Sequence, residues 1–300
     1  MTATIGFLGI GSMGKPMSQH ILDMGYPLVV FDPNEKAMQP LLDAGAVKGA
    51  SPKDVADKAE IVFICLPTLE IARAVTMGPD GLVHGKTMRL YINTGTTGQA
   101  FSTEMAEGLA KTKVASMDAP ISGGAQGAAE GSLSIMVSGP EAGFKEIEPI
   151  LARWGKSVVY ISDTPGHAQT VKLVNNLLSG VAMAATAEVM VMAAKAGLDP
   201  EKVLQVVNNG SGRNSATLDK FPRHVLNRKF DFGGAVSILY KDMSLGIAEA
   251  EKLGVPTWIC GAAKQMWGYM KATGEGPNDL THLVEHMERW AGTQIPKTRD

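Results

Sequence analysis

Residues 5–14 read IGFLGIGSMG, an apolar run that breaks into three glycines, Gly9, Gly11 and Gly14, spaced as GxGxxG. Each glycine has its own physical task. Gly9 makes the tight turn out of a strand, Gly11 lets the backbone approach a pyrophosphate, and Gly14 lets the next helix pack closely on that strand. The pattern predicts a strand over 4–8 and a helix over 13–24, whose N-terminal N–H groups and partial positive charge favour phosphate. A GxGxxG alone also fits an unliganded turn, so its context decides. Residues 28–31 are apolar and end at Asp32, about 20 residues on, where the motif places a carboxylate for the adenosine ribose hydroxyls. That charge repels a 2′-phosphate and no arginine adjoins it, so the reading favours NAD over NADP.

Outward from this unit the alternation continues. Helical periodicity covers 35–44, a short element 52–59, and apolar strands 61–66, 89–92 and 114–118. Repeated β-α-β units of this length imply a parallel sheet with helices on both faces. Beyond residue 163 the pattern becomes helical: 169–196, stopped by Gly197 and Pro200, then 201–208, 239–253, 258–273 and 280–290. Two domains are expected, 1–163 for the dinucleotide and 164–300 all helical, opening with a long interdomain helix.

The bulk properties exclude several classes of function. In 300 residues, 45% are hydrophobic and 19% charged, and the formal net charge is −2, which leaves no basic surface for nucleic acid and no sign of disorder. No signal sequence is legible at the N-terminus, and Glu188 interrupts the most apolar stretch, 180–194, so a buried helix of a cytoplasmic protein is expected there, with no membrane partner. Cys65 and Cys260 are distant in sequence and read as buried, reduced thiols. The six histidines have no metal-ligand spacing, and no metal is expected.

Two segments carry chemistry. Asp118-Ala119-Pro120-Ile121-Ser122-Gly123-Gly124 ends a predicted strand, and its small residues expose backbone N–H groups beside a hydroxyl. That suits an anion, although an ordinary serine turn would look the same. In 166–176, GHAQTVKLVNN, Lys172 and Asn176 project from one helical face among Val171, Leu173, Val174, Leu177 and Leu178. A snorkelling structural lysine is the alternative reading there.

Taken together, the chain resembles the β-hydroxyacid dehydrogenases over nearly its whole length, in four ordered blocks. Residues 6–17, GFLGIGSMGKPM, are similar to the family's cofactor signature and 118–124 to its substrate-carboxylate loop. Lys172 to Asn176 resembles its catalytic K-x-x-x-N, and Lys241-Asp242 its C-terminal pair. The resemblance implies a Rossmann-type doubly wound sheet domain followed by an all-helical domain, assembled as a homodimer or homotetramer. It implies that Gly9, Gly11, Ser12, Met13, Gly14, Asp32, Leu66, Pro67, Thr96 and Lys241 bind the cofactor, and that Ser122, Gly123 and Gly124 hold the carboxylate of a small 3-hydroxy acid. Lys172 would exchange the hydroxyl proton and Asn176 would orient substrate and lysine. Such a base requires a lysine pKa lowered from about 10.4, by desolvation and by the cationic nicotinamide.

Departures bear on the substrate. Tyr240 and Trp258 are less usual and would reshape the pocket, and Arg213, in the segment SGRN, is a candidate for a second carboxylate or else a loop arginine. Ala168 replaces a second glycine, and Asn93-Thr94-Gly95 stands for the commoner Asp-x-Ser. An NADP-dependent semialdehyde reductase of the same family and a non-catalytic dinucleotide-binding scaffold are the rival functions. 6-Phosphogluconate dehydrogenase has a histidine where Asn175 stands, and imine reductases lack the lysine that Lys172 supplies.

Overall fold

The computed structural model describes residues 2–298. Two compact units divide between Lys172 and Leu173, inside a long helix.

The first unit is built on a nine-stranded sheet. In chain order its elements are β1 (Ile5–Leu8), α1 (Gly14–Asp23), β2 (Leu28–Phe31), α2 (Glu35–Asp43), β3 (Val47–Lys48), α3 (Pro52–Lys58), β4 (Ile61–Ile64), α4 (Leu69–Met77), β5 (Leu90–Asn93), α5 (Gln99–Ala110) and β6 (Ala115–Asp118). They continue with β7 (Ile121–Ser122), α6 (Gly124–Glu130), β8 (Leu133–Ser138), α7 (Glu141–Trp154) and β9 (Gly155–Ser162). The order β3-β2-β1-β4-β5-β6 is parallel throughout. The chain runs outward from β1 to β3 and then returns to the other side of β1, which makes the carboxyl ends of β1 and β4 a topological switch point. β8 then pairs antiparallel with β6 and β7 and parallel with β9, an edge the parallel expectation did not include.

Continuous apolar strands are explained by burial on both faces. Ile5, Phe7, Val30, Phe63 and Ile92 enter one core, with Trp154 of α7 edge-on to Phe63 at 4.9 Å between centroids. Trp154 satisfies its buried Nε1–H by donating to the Met17 carbonyl at 2.9 Å. Leu8, Val29, Val62, Ile64 and Tyr91 enter the core of the opposite face. Cys65 and Cys260 are free thiols, and both are partly exposed rather than buried as expected.

α8 (His167–Lys195) leads into the second unit, which continues with α9 (Pro200–Asn209), a π-helix over Ala216–Val225, α10 (Val236–Lys252), α11 (Trp258–Met270) and α12 (Leu283–Ala291). Its core gathers Met183, Ala187, Met190, Phe221, Met243 and Trp267. Gly180 is the close-approach point on α8, because a Cβ there would lie 2.6 Å from the Met243 sulfur. By length and composition α8 could cross a membrane, and 44% of its most apolar window is buried.

Candidate active site

The carboxyl ends of the parallel strands carry the cofactor residues anticipated from sequence, apart from Lys241, which lies on α10 of the second unit. Gly9 has φ +93°, and a Cβ on it would meet the Cys65 carbonyl oxygen at 2.3 Å. A Cβ on Gly14 would lie 1.9 Å from the Gly9 carbonyl oxygen, so this glycine closes the loop onto the helix. Gly11 differs. It is exposed, and a Cβ there would meet no protein atom within 4 Å. No contact within the protein therefore requires a glycine at 11, whereas a phosphate lying on the backbone does. Ser12 is exposed and Met13 half-buried at the start of α1, which has no side-chain cap and no acidic residue in its first turn. Ser51, Thr68 and Asp199 cap α3, α4 and α9, whereas α5, α6, α10 and α11 share the uncapped, acid-free start, so the glycine loop ahead of α1 is what sets it apart. An uncapped, acid-free N-terminus retains its attraction for an anion. These features fit a dinucleotide pyrophosphate.

Asp32 is half-buried just past β2, and its carboxylate accepts from Ile10 N at 2.7 Å and from Asn34 N at 2.8 Å. It therefore also holds the glycine loop in place, a duty its sequence position did not reveal. Leu66 is half-buried and Pro67 exposed beyond β4.

The loop after β5 is the most heavily braced part of the site. Asn93 folds it by donating to Thr97 Oγ1 at 2.8 Å and accepting from Gly95 N at 3.0 Å, which accounts for an asparagine at this departure from the family pattern. Gln169, fully buried in the first turn of α8, clasps the loop on both sides of Thr96. Its Oε1 accepts from Thr97 N at 2.9 Å and Gly98 N at 3.3 Å, while its Nε2 donates to the Gly95 carbonyl at 2.9 Å. Asp118, 2% exposed, accepts from Ser102 Oγ, Gly166 N and Gln169 Nε2 at 2.5, 2.6 and 3.3 Å. Burial pushes its carboxyl above the usual carboxylate range, against the pull of these donors. Ser138 Oγ takes Ala168 N at 3.0 Å, and Ala168 is fully buried, so α8 enters at a fixed place.

Lys172 follows one turn after Gln169 and is 6% exposed, so it is not a solvated surface group. Sequence reasoning named Lys172 but gave no bracing role to Gln169 or Asp118, because their partners are far away along the chain. Gln169→Ala should lower stability by about 1–3 kcal/mol, since it strands the buried Thr97 N–H. Thermal or urea unfolding measures this, and an unchanged midpoint would remove the clasp from the argument.

Ser122 ends β7 half-buried, and Gly123 and Gly124 take φ +134° and +68°, a backbone course that side chains resist. In the helical unit, Asn176 Nδ2 donates to Asp242 Oδ2 at 2.7 Å, and Asp242 pairs with Lys241 at 2.8 Å. Asp242 thus fixes the asparagine amide, a role beyond its place in the Lys-Asp pair. Tyr240 is half-buried, its ring 3.0 Å from where a Gly268 Cβ would stand. Arg213 is exposed, and Trp258 at the start of α11 is 83% exposed. Among the described residues, no group of three His, Cys, Asp or Glu side chains could hold a metal ion.

Comparison with known proteins agrees with this geometry. Residues 4–162 match the family described as the NAD binding domain of 6-phosphogluconate dehydrogenase, and 166–287 that described as the NAD-binding of NADP-dependent 3-hydroxyisobutyrate dehydrogenase. The chain is 32% identical to 2-(hydroxymethyl)glutarate dehydrogenase of Eubacterium barkeri, over 97% of each chain. It is 32% identical to mitochondrial 3-hydroxyisobutyrate dehydrogenase of Bos taurus, over 94% of this chain and 86% of that one. A crystal structure of 3-hydroxyisobutyrate dehydrogenase from Salmonella typhimurium superposes with a TM-score of 0.82 at 32% identity, covering 95% of this chain and 99% of the other. Glycine loop, braced strand ends and relatives converge: the chain belongs to the β-hydroxyacid dehydrogenase family, oxidoreductases acting on CH–OH with a nicotinamide dinucleotide.

Proposed function

We propose that this protein is an NAD-dependent dehydrogenase interconverting a small 3-hydroxy carboxylic acid and its semialdehyde or 3-oxo acid, with Lys172 as general acid/base. The observation that carries the reading is the burial of Lys172 one turn beyond the Gln169 clasp on the Thr96 loop. When bound, the nicotinamide supplies the two-electron acceptor for the hydride. The chain's own residues do the rest. Ser122, Gly123 and Gly124 hold the substrate carboxylate and so fix which carbon faces the ring, giving rate through orientation. Lys172 Nζ takes the hydroxyl proton in oxidation and returns it in reduction. Asn176, its amide set by Asp242, orients the hydroxyl. Leu66, Pro67, Thr96 and Lys241 line the nicotinamide end.

Asp32 supports NAD. Asp32→Ala should weaken NAD at least about tenfold and relax discrimination against NADP, because it removes the ribose acceptor, the repulsive charge and the anchor on Ile10 N together. Dissociation constants for both dinucleotides measure this, and a wild type that binds NADP more tightly would overturn the assignment. An NADP-dependent reductase is the second reading, favoured by the description of the family matched over 166–287. The test of the function is growth of the NADH or NADPH absorbance with either dinucleotide and a panel of 3-hydroxy acids. Oxidation of at least one acid is expected, faster with NAD, and inertness towards all would leave only a dinucleotide-binding scaffold.

The protein is taken to work in the cytoplasm as a homo-oligomer. Val174, Leu178, Val189 and Met192 form an exposed apolar row on α8, which supports assembly of copies.

A further inference from the structure

Lys220 is the anomaly of the helical unit. It lies in the π-helix Ala216–Val225, is 3% exposed, and forms no ion pair among the described residues. Its neighbour Asp219 pairs with Arg223 instead, at 3.2 Å. The Lys220 ammonium donates to Ser179 Oγ at 3.3 Å and Ser215 Oγ at 3.2 Å, and stands 4.9 Å from the centroid of the Phe232 ring. Burial lowers its pKa, with Asp219 opposing. A buried cation with only neutral partners is costly, and an anion removes the cost.

The place of this cation gives it a use. Ser179 follows Asn176 by three residues and Lys172 by seven, so all three side chains project from one face of α8. At about 1.5 Å rise per residue, Ser179 stands about 4.5 Å along the axis from Asn176 and about 10 Å from Lys172. Ser215 is exposed and Ser179 half-buried, so the ammonium sits just beneath a hydroxyl rim. Each hydroxyl that accepts from Lys220 keeps its own proton to donate. Asn214 anchors the segment carrying Ser215 by donating from Nδ2 to Thr186 Oγ1 of α8 at 3.3 Å and accepting from Ala216 N at 2.8 Å.

We propose that Lys220, with Ser179 and Ser215, binds a second carboxylate of the substrate, so that 3-hydroxy dicarboxylates are preferred to monocarboxylates. This rests on the dehydrogenase reading above and moves the role considered for Arg213 to a different residue. The experiment compares 2-(hydroxymethyl)succinate and 2-(hydroxymethyl)glutarate with 3-hydroxyisobutyrate. In the wild type, kcat/KM should be higher for a dicarboxylate. Lys220→Met should cut the dicarboxylate-to-monocarboxylate ratio at least about tenfold, and Ser179→Ala should lower it in the same direction by less. A ratio is insensitive to partial misfolding. If Lys220→Met does not fold, inhibition of the wild type serves instead, with glutarate expected to compete against substrate at lower concentration than butyrate. Oxidation of monocarboxylates only, an unchanged ratio in Lys220→Met, or equal inhibition by glutarate and butyrate overturns the proposal and leaves the dehydrogenase reading standing. Failure to oxidise any 3-hydroxy acid with either dinucleotide overturns both.

Discussion

Lys172→Ala should lower turnover at least about a hundredfold, the lower end of what a positioned acid/base contributes and equivalent to about 2.7 kcal/mol of transition-state stabilisation. Dinucleotide affinity should change little, because in the proposed site the β1 and β2 loops, not Lys172, would meet the pyrophosphate and ribose groups. Lys172 is buried, so truncation also leaves a void, and Lys172→Met keeps most of the volume as a control. Lys172→Arg should be equally impaired, since a guanidinium does not give up its proton near neutral pH. Steady-state kinetics with parallel dinucleotide titrations measure this, and near-wild-type turnover in the alanine or methionine variant would remove Lys172 from the mechanism.

The second large effect separates two glycines of one loop. Gly11→Ala should leave the melting temperature within about 1 °C of wild type, because the new Cβ meets no protein atom within 4 Å. Dinucleotide affinity should nevertheless fall at least about tenfold, because the methyl occupies space that the pyrophosphate needs. Gly14→Ala should lower both, since its Cβ would lie 1.9 Å from the Gly9 carbonyl oxygen, and relieving such overpacking typically costs about 1–3 kcal/mol. Calorimetric melting and dinucleotide titration of the pair check the contrast. Full affinity in Gly11→Ala would mean that the phosphates do not lie over residue 11.

What the sequence made legible follows from how local each signal is. The β1-turn-α1-β2 unit is encoded within its own residues, by apolar runs, glycines at the turn and a carboxylate at a set distance. β4 and the long α8 were visible for the same reason. The antiparallel return through β7 and β8 was not, because pairing with β6 decides it. β9 has mostly half-buried positions, which weakens its periodicity. The π-helix over Ala216–Val225 contains Pro222, which reads as a breaker. Candidate site residues divide in the same way. Lys172 and Asn176 show themselves by spacing on one helix, whereas Gln169 acts on a loop more than 70 positions away in the chain. Lys220 reads as a surface lysine until packing buries it, and Arg213 drew notice through its neighbours yet stands exposed.

The most direct test of hydride transfer uses an accepted 3-hydroxy acid carrying deuterium on its carbinol carbon. With the wild type and NAD, one deuterium per turnover should appear at C4 of the reduced nicotinamide, transferred as deuteride to a single face, while the hydroxyl proton exchanges with solvent. Lys172→Ala should form the same labelled product far more slowly. Product formed without deuterium at C4, or label lost to water during turnover, would contradict direct hydride transfer and the function built on it.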